Sequence, residues 1–225
     1  MFIQRKHLIT DPDEVFALIE RYPLGSWVNR TSEGGLTANH IPFFLDRERG
    51  PHGTLMAHVA RGNPVWKQLA DGLPSVVMFR GVDAYITPAW YASHTTHGKA
   101  VPTWNYEAVN AHGVAHTVHD RDWLLMMLRR MTEVREAVNP KPWRMEDAPA
   151  DYIDKLLRAI VGIEIPIERL EAKRKASQGE DMADRLGTIE GLRQLDTRNA
   201  RQMADTIAKA IESDRPPPKY RRYGR

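Results

Sequence analysis

The sequence predicts an α+β fold, in which a mainly antiparallel β-barrel or sandwich carries added helices. Between residues 27 and 118, short runs rich in Val, Ile, Thr, Phe, Tyr and Trp alternate with Gly, Pro and Asn, which is the pattern of several short strands joined by turns. The close spacing of these runs argues against a parallel α/β sheet. Segments with helical periodicity lie before and after this region and supply the added helices.

The first predicted helix lies within "TDPDEVFALIERYPLG", residues 10–25. Asp11 can cap its N-terminus, and Pro12 suits the first helical position. Pro23 and Gly25 end the helix. The apolar residues at helical spacing, which are expected to be buried, are Val15, Leu18, Ile19 and Tyr22.

Seven strands are then predicted. They lie near residues 26–30, 36–45, 54–61, 75–80, 82–87, 103–110 and 113–118. We expect a tight hairpin at "RGVD", residues 80–83. We expect either a turn or a bulge with positive φ at Gly113 in "NAHG". A short helix over residues 64–71 interrupts the strands, with Asn63 as its cap and Gly72 as its end.

The segment "GIEIPIERLEAKRKASQG", residues 162–179, is predicted as one long strand. Its alternation slips near Arg169, which indicates a bulge or an exit from the barrel, and Pro166 places it at an edge or seam. Four helices are predicted around it, at residues 120–139, 150–162, 181–195 and 199–213.

We therefore expect three parts in the chain. Residues 1–178 form the barrel domain with inserted helices, and residues 179–213 form C-terminal helices packed on it. Residues 214–225, "DRPPPKYRRYGR", form a disordered basic tail.

The composition excludes several classes of protein. Because none of the 225 residues is cysteine, disulfides, thiolate zinc sites and thiol nucleophiles are absent. The 32 Lys and Arg residues are interleaved with 29 Asp and Glu residues, so the net charge of +3 gives little bulk electrostatic support for nucleic-acid binding. We see no apolar run long enough for a membrane span and no signal peptide. These features predict a cytoplasmic protein with no membrane association.

The familiar catalytic motifs are also absent. The sequence contains no Gly-x-Ser-x-Gly elbow, no Gly-x-Gly-x-x-Gly fingerprint, no phosphate-binding loop and no His-Glu-x-x-His. The clustered histidines do not have the spacing of a metal site, and we predict no metal. They are His94, His97, His112, His116 and His119.

Two strand-end segments could bind a ligand. In "ARGNPVWK", Arg61, Asn63 and Lys67 could form an anion cradle, or they could belong to a capped surface helix with solvated charges. The strand "TANHIPF", residues 37–43, could line a flat heteroaromatic ring, or it could be an ordinary barrel strand. The residues alone leave the first pair of alternatives open, whereas for the strand the spacing alone favours an ordinary barrel strand.

An aromatic loop is the third candidate. The segment "YITPAWYASHTTHGKAVPTWNY" places Trp90, Tyr91 and Trp104 between two prolines and adds the charge of Lys99. Aromatic side chains in loops are typical of interfaces and stacking surfaces. The loop could also close the barrel mouth by its own packing, and both roles could hold together.

At these residues the sequence resembles the PaiB-type family of FMN-binding negative transcriptional regulators. The resemblance covers nearly the whole chain. It rests on "ANHIPF", "GTLMAHVARGNPVW", "YITPAWY", "HGKAVPTWNYEAVNAHG" and "GIEIPIERLEAKRKASQ" in this order. Two features depart from the family pattern: Gly179 stands where the family commonly has Asn, and the proline-rich tail is additional.

The resemblance implies an FMN-binding split barrel, which is a Greek-key antiparallel barrel that forms a homodimer with flavin at the interface. It implies that Arg61, Asn63 and Lys67 hold the phosphate, that two strands back the flavin ring, and that the aromatic loop closes the site. The residues implied to bind the cofactor are Thr37, Ala38, Asn39, His40, Ile41, His58, Val59, Ala60, Arg61, Asn63, Trp66, Lys67, Trp90, Tyr91, Lys99 and Trp104.

The resemblance also implies repression of transcription, either directly or indirectly. The sequence has no helix-turn-helix, and the basic tail and polar C-terminal helices give only weak support for DNA binding. Whether the protein is an enzyme stays open. The alternative function is an FMN-dependent oxidoreductase of the flavin-reductase or pyridoxamine-phosphate-oxidase type, in which the flavin carries the chemistry. A haem or metal protein that uses the histidines is a weaker third alternative.

Overall fold

The computed structural model describes residues 1–69, 72 and 74–213. The strands are β1 (Leu24–Arg30), β2 (Leu36–Pro42), β3 (Phe44–Asp46), β4 (Thr54–Ala60), β5 (Pro74–Ile86), β6 (Thr103–Val114), β7 (His116–Val118), β8 (Ile160–Pro166) and β9 (Arg169–Lys175). The helices are α1 (Pro12–Arg21), α2 (Val65–Gln68), α3 (Ala92–His97), α4 (Arg121–Glu136), α5 (Ala150–Arg158), α6 (Met182–Gln194) and α7 (Arg198–Ser213).

The strands form two sheets. One sheet has five strands in the order β2-β1-β5-β6-β9, and the other has four in the order β3-β4-β8-β7. The pairings β1–β2, β1–β5, β3–β4, β4–β8 and β7–β8 are all antiparallel. The predicted α+β class with antiparallel sheets is therefore confirmed, and the split barrel is the fold.

The chain forms two compact units. Of the described residues, the first comprises Met1, Thr10–Arg80 and Ala108–Ala172, and the second comprises Phe2–Ile9, Gly81–Glu107 and residues 173–213. Strands β5, β6 and β9 contribute residues to both. The predicted domain boundary between residues 178 and 179 stays a prediction, and the predicted tail at residues 214–225 lies outside the described residues.

The first unit has a core that follows the sequence pattern. The side chain of Asp11 accepts a hydrogen bond from the Asp13 amide at 3.0 Å, which caps α1 as predicted. Helix α1 buries Val15, Leu18 and Ile19. On β1, alternation with a period of two buries Gly25, Trp27 and Asn29 and leaves Ser26 and Val28 on the other face.

Helix α4 covers part of the four-stranded sheet. Asp120 caps it by accepting the Trp123 amide at 2.7 Å. Leu124 and Met127 pack in a cluster with Met56 of β4 and Leu157 of α5. The predicted apolar stripe does not stay buried to its end: Val134 is 51% exposed, and Val138 lies beyond the last residue of the helix and is 85% exposed.

The second unit has its own core between α6 and α7. Helix α7 buries the predicted face of small and apolar residues, which are Ala200, Met203, Ala204, Ile207 and Ile211. These side chains cluster with Ile189 and Leu192 of α6 and with Val82 and Ile86 of β5. The α7 prediction is therefore confirmed.

Two predicted turns are wrong. Strand β5 runs through "RGVD" without a hairpin, and its buried positions change from odd numbers up to Phe79 to even numbers from Val82. This change of parity indicates a local bulge or twist where a turn was expected. Strand β6 runs through "NAHG", and Gly113 has no positive φ. A Cβ on Gly113 would lie 2.2 Å from the Pro166 carbonyl oxygen, so close backbone approach explains the glycine.

Two predicted elements have different lengths. The helix expected over residues 64–71 is the four-residue α2. The long strand predicted at residues 162–179 is two strands, β8 and β9, that belong to different sheets. The Ile167 and Glu168 amides between them donate to the carbonyls of Gly53 and His112, at 3.0 and 2.9 Å. The slip near Arg169 thus marks a change of sheet.

Across the described ranges, no helix combines the length and the apolar character that a membrane span needs.

Candidate functional site

Arg61, which follows β4, and Lys67 of α2 both lie near the ring of Trp66, which is also in α2. The Arg61 guanidinium carbon lies 6.0 Å from the centre of the Trp66 ring, and the Lys67 Nζ lies 5.1 Å from it. The Trp66 indole N–H donates to the Arg61 carbonyl at 3.0 Å, which fixes the ring. The two cations are therefore held on the same aromatic side chain.

Arg61 is oriented by the backbone and not by an acid. Its Nε donates to the Arg158 carbonyl and its Nη2 to the Ile160 carbonyl, both at 2.8 Å. Within residues 1–69, 72 and 74–213, neither Arg61 nor Lys67 forms an ion pair with a carboxylate. The remaining donors can therefore bind an added anion through charge-assisted hydrogen bonds.

Asn63 connects this cluster to β2. Its Nδ2 donates to the Asn39 Oδ1 at 3.0 Å, and its Oδ1 accepts the Val65 amide at 3.0 Å. Asn39 in turn donates to the Thr37 hydroxyl at 3.5 Å. The structure thus joins the segment "ARGNPVWK" to the strand "TANHIPF", which were two separate candidate sites in the sequence. Because α2 has only one turn, side-chain charge and not a helix dipole would hold an anion here.

Strand β2 is an open edge strand. Among the described strands it pairs with β1 alone, and none of its seven residues is buried. Thr37, Asn39 and Ile41 are half-buried, whereas Ala38 and His40 are exposed. The His40 Nδ1 is hydrogen-bonded to the Ser26 hydroxyl at 2.9 Å. The strand therefore has space beside it for a flat group, as the predicted ring site requires.

The β4 candidates differ in exposure. Val59 is buried in the core, Ala60 is exposed, and His58 is half-buried. The Nδ1 of His58 is buried and has no hydrogen-bond partner among the described residues, and burial lowers the pKa of this histidine. A buried ring nitrogen without a partner is a group that a ligand could satisfy.

In the second unit, Trp90 and Tyr91 are anchored by α6. Trp90 lies against Gly187 and Gly191, and Tyr91 is only 6% exposed within the helical core. Burial raises the pKa of Tyr91 to about 12, and two nearby carboxylates add to this shift. The rings of Trp90 and Tyr91 therefore pack against other residues of this unit.

The other two residues of the aromatic loop are open. Lys99 is exposed, and Trp104 is 53% exposed with its ring edge-to-face against Tyr85 at 5.9 Å. These two side chains are free to contact a ligand or another protein.

The second unit also contains a cationic pocket that the sequence analysis missed. Lys173 and Lys175 of β9 line a cavity of about 390 Å³ with Tyr106 of β6. The available signal was the alternation of lysines in "EAKRKASQ", which lies within the long strand predicted at residues 162–179. Over the described ranges, no three His, Asp or Glu side chains are grouped as a metal site would need.

Comparison with known proteins identifies the class. Residues 1–169 match the sequence model of the family described as "Putative FMN-binding domain". Together with the antiparallel sheets, this match defines a flavin-binding protein of the split-barrel type. The chain belongs to this FMN-binding domain family, and FMN or a related flavin is its cofactor.

Curated relatives extend over nearly the whole chain. The "Protease synthase and sporulation protein PAI 2" of Bacillus subtilis is 31% identical over 212 residues, which cover 94% of this chain and 99% of the relative. An uncharacterized protein of Aspergillus fumigatus is 30% identical and covers 92% of this chain and 96% of its own. The resemblance to the PaiB type is therefore confirmed.

Solved structures share the fold at low identity. The flavocytochrome Anf3 of Azotobacter vinelandii has a TM-score of 0.57 at 16% identity, covering 81% of this chain and 77% of that chain. The FAD and heme binding protein of Mycobacterium smegmatis has a TM-score of 0.52 at 17% identity, covering 80% and 78%. At this identity the likeness concerns the fold alone.

Proposed function

We propose that this protein binds FMN with its phosphate against Arg61 and Lys67, and that it acts as a negative regulator of transcription. The observation that carries the proposal is the pair of cations held on Trp66, which have no carboxylate partner among the described residues. A phosphate monoester would supply the missing negative charge. Asn63 would add its side-chain amide and the link to β2.

The flavin ring would lie along β2. The exposure of β2 supports this arrangement, because a planar ring needs an uncovered strand beside it. The strand residues that would contact the ring are Thr37, Ala38, Asn39, His40 and Ile41. His58, Val59 and Ala60 of β4 would back the ring, and the His58 Nδ1 is available to a polar atom of the ligand. When bound, the flavin supplies redox chemistry, while the protein orients it and controls access.

We propose a homodimer, because one face of β1, β2 and β5 is uncovered. Two cross-strand rows form this face, Ala38–Val28–Val76 and His40–Ser26–Met78. All six residues are exposed or half-buried, and Leu24 at the edge of the face is 64% exposed. A second copy would cover this mixed apolar surface.

In the dimer, the aromatic loop of a second copy would complete the flavin site. Lys99 and Trp104 are the members of the loop with exposed side chains. Trp90 and Tyr91, which pack on α6, would hold the loop in its shape.

The regulatory role rests on family membership. The Bacillus relative is named as a protease synthase and sporulation protein, which is compatible with control of gene expression. Direct DNA binding has weak electrostatic support, because the net charge is only +3. Binding of duplex DNA that weakens steeply with salt would support direct regulation, and no binding at low salt would leave regulation indirect. The absence of cysteine is compatible with a cytoplasmic location.

An FMN-dependent oxidoreductase is the second candidate function. The open sides of β2 favour it, since a ring bound there would stay accessible to a second substrate. Consumption of NADH or NADPH by the FMN-loaded protein would distinguish this function from a regulatory flavin.

The absorbance spectrum of the purified protein, with and without added FMN, tests the flavin proposal. We expect the two flavin bands, shifted from those of free FMN, in a complex that survives gel filtration. A bare protein spectrum after incubation with FMN contradicts the proposal, and a Soret band indicates haem instead.

A further inference from the structure

We propose that the second unit contains a second ligand pocket, distinct from the FMN phosphate site at Arg61 and Lys67. It binds a small organic anion that carries a phosphate or carboxylate group on a flat apolar body. The pocket has a volume of about 390 Å³, and its polar walls include Lys173, Lys175, Thr103, Tyr106 and His7.

The alternation of β9 creates the pocket. Lys173, Arg174 and Lys175 are consecutive, so the two lysines share one face and Arg174 lies on the other. Arg174 donates from its Nε to the buried carboxylate of Glu107 at 2.7 Å. Arg174 is therefore paired with a carboxylate, whereas Lys173 and Lys175 on either side of it face the cavity.

Every hydrogen-bond partner of the two ammonium groups in the described residues is neutral. The Lys173 Nζ donates to the Tyr106 hydroxyl at 2.6 Å and to the Phe2 carbonyl at 3.4 Å. The Lys175 Nζ donates to the Thr103 hydroxyl and to the Trp104 carbonyl, the latter at 2.9 Å. Because a lysine ammonium has three donors, each keeps one for a ligand.

The local charge balance favours an anion. Lys173 is 9% exposed, so its charge is largely removed from water without an ion pair. Burial lowers the pKa of Lys175, and the charges of Lys173 and Lys6 also lower it, while Glu180 is the carboxylate that opposes this shift. Burial and the same three lysines lower the pKa of His7 to about 4. An added anion would offset this excess of positive charge.

The apolar walls define the rest of the ligand. Trp104 is 53% exposed and Phe2 is 79% exposed, and both line the cavity together with the ring of Tyr106. Large aromatic surfaces beside a charged end are typical of sites for ring-bearing anions. The volume lies near the lower end of ligand pockets, about 300–1,000 Å³, which suits a compound with one small ring system.

Phenyl phosphate, benzoate and inorganic phosphate are suitable probes, with neutral benzyl alcohol as the control. Each would be titrated by calorimetry into the full chain loaded with FMN, and again into the apoprotein. We expect saturable binding of phenyl phosphate or benzoate at one site, with at least tenfold weaker binding of inorganic phosphate and benzyl alcohol. The preference between the first two identifies the head group. Absence of binding by both ring-bearing anions overturns the proposal.

Variants locate the site. Lys173→Met and Lys175→Met should each weaken probe binding at least tenfold, and Trp104→Ala should weaken the ring-bearing probes more than inorganic phosphate. Lys141→Met removes an exposed lysine outside the pocket and is the matched control. If Lys173→Met does not fold, the half-buried Lys175 and the exposed Trp104 still test the proposal. Unchanged probe affinity in both of these variants overturns it.

FMN affinity in the same variants separates this pocket from the flavin site. We expect FMN to bind the Lys173→Met and Lys175→Met variants within twofold of the parent. Trp104→Ala is not used in this comparison, because Trp104 is also proposed to complete the flavin site of a second copy. Loss of FMN binding in the lysine variants, with normal binding in Arg61 and Lys67 variants, would make this pocket the flavin phosphate site and overturn the separate pocket. Loss of FMN binding in the Arg61 and Lys67 variants alone supports both assignments.

Discussion

The indole ring of Trp90 lies directly against Gly191 of helix α6. A Cβ built on Gly191 would approach the Trp90 Cδ2 to 2.3 Å, and one on Gly187 would approach the Trp90 carbonyl oxygen to 2.1 Å. Glycine within a helix costs about 1 kcal/mol relative to alanine. The two glycines that weaken α6 locally thus provide the flat surface on which the aromatic loop docks.

Replacement of Gly191 tests this docking. Although alanine has the higher helix propensity, Gly191→Ala should lower the free energy of unfolding by about 1–3 kcal/mol, because the added methyl group overpacks against a rigid ring. Urea unfolding followed by circular dichroism measures the effect. Glu190→Ala, at an exposed position of the same helix, should change stability by no more than about 0.5 kcal/mol.

A double-mutant cycle assigns the effect to Trp90. In a Trp90→Ala background the obstacle is removed, so Gly191→Ala should stabilise the protein by up to about 1 kcal/mol. If Gly191→Ala stabilises the protein that retains Trp90, the contact does not constrain the loop.

The proposed phosphate site predicts losses of flavin affinity. Arg61→Ala and Lys67→Ala should each weaken FMN binding by about 1–3 kcal/mol, because each removes a charge-assisted contact. Fluorescence quenching of FMN on titration with apoprotein measures the change, and Lys141→Ala is the matched control for loss of one surface charge. Unchanged affinity in both site variants would place the phosphate elsewhere.

Arg61→Lys separates charge from geometry at this site. It keeps the positive charge but cannot reproduce the two hydrogen bonds from the guanidinium to the Arg158 and Ile160 carbonyls. We expect an FMN affinity between those of the parent and Arg61→Ala. Thermal unfolding of each apoprotein would show how much of the effect comes from stability.

The lowered pKa of His7 predicts that the folded protein loses stability in mild acid. Burial, and then the charges of Lys6, Lys173 and Lys175, lower the pKa of His7 from 6.5 to about 4. Because the unfolded chain takes up this proton first, the contribution of His7 to stability is complete above about pH 6.5 and is lost as the pH falls toward 4.

Replacement of His7 isolates that contribution. His7→Gln should make the urea midpoint depend less on pH between 7.5 and 4.5 than it does in the parent, while His52→Gln, at an exposed position, should leave the dependence unchanged. Parallel pH profiles of the parent and His7→Gln would contradict the assignment.

The uncovered face of β1, β2 and β5 predicts how the dimer can be broken. Met78→Asp places a charge in the His40–Ser26–Met78 row and should weaken dimerisation at least tenfold, or about 1.4 kcal/mol. Sedimentation equilibrium measures the effect, and Val138→Asp, at a position 85% exposed and outside this face, is the control. A parent protein that is monomeric at micromolar concentration would contradict the dimer proposal.

Local patterns in the sequence predicted the elements whose partners are close in the chain. The cap of α1 and the buried face of α7 depend on residues within a few positions of one another, and both are confirmed. "RGVD" contains a glycine next to an arginine and predicts a turn, but the structure keeps it extended within strand β5. The change of sheet after Pro166 depends on the carbonyls of Gly53 and His112, which no local pattern contains.

By itself, the sequence determined the family, the flavin cofactor, the antiparallel class and the residue types that can hold a phosphate. Only the tertiary structure decided which basic residues have carboxylate partners. Arg174 is paired with Glu107, 67 positions earlier in the chain, whereas its neighbours Lys173 and Lys175 face neutral groups in a cavity. The physical reason is that the free energy of a buried charge depends on its nearest opposite charge, and chain folding sets that distance.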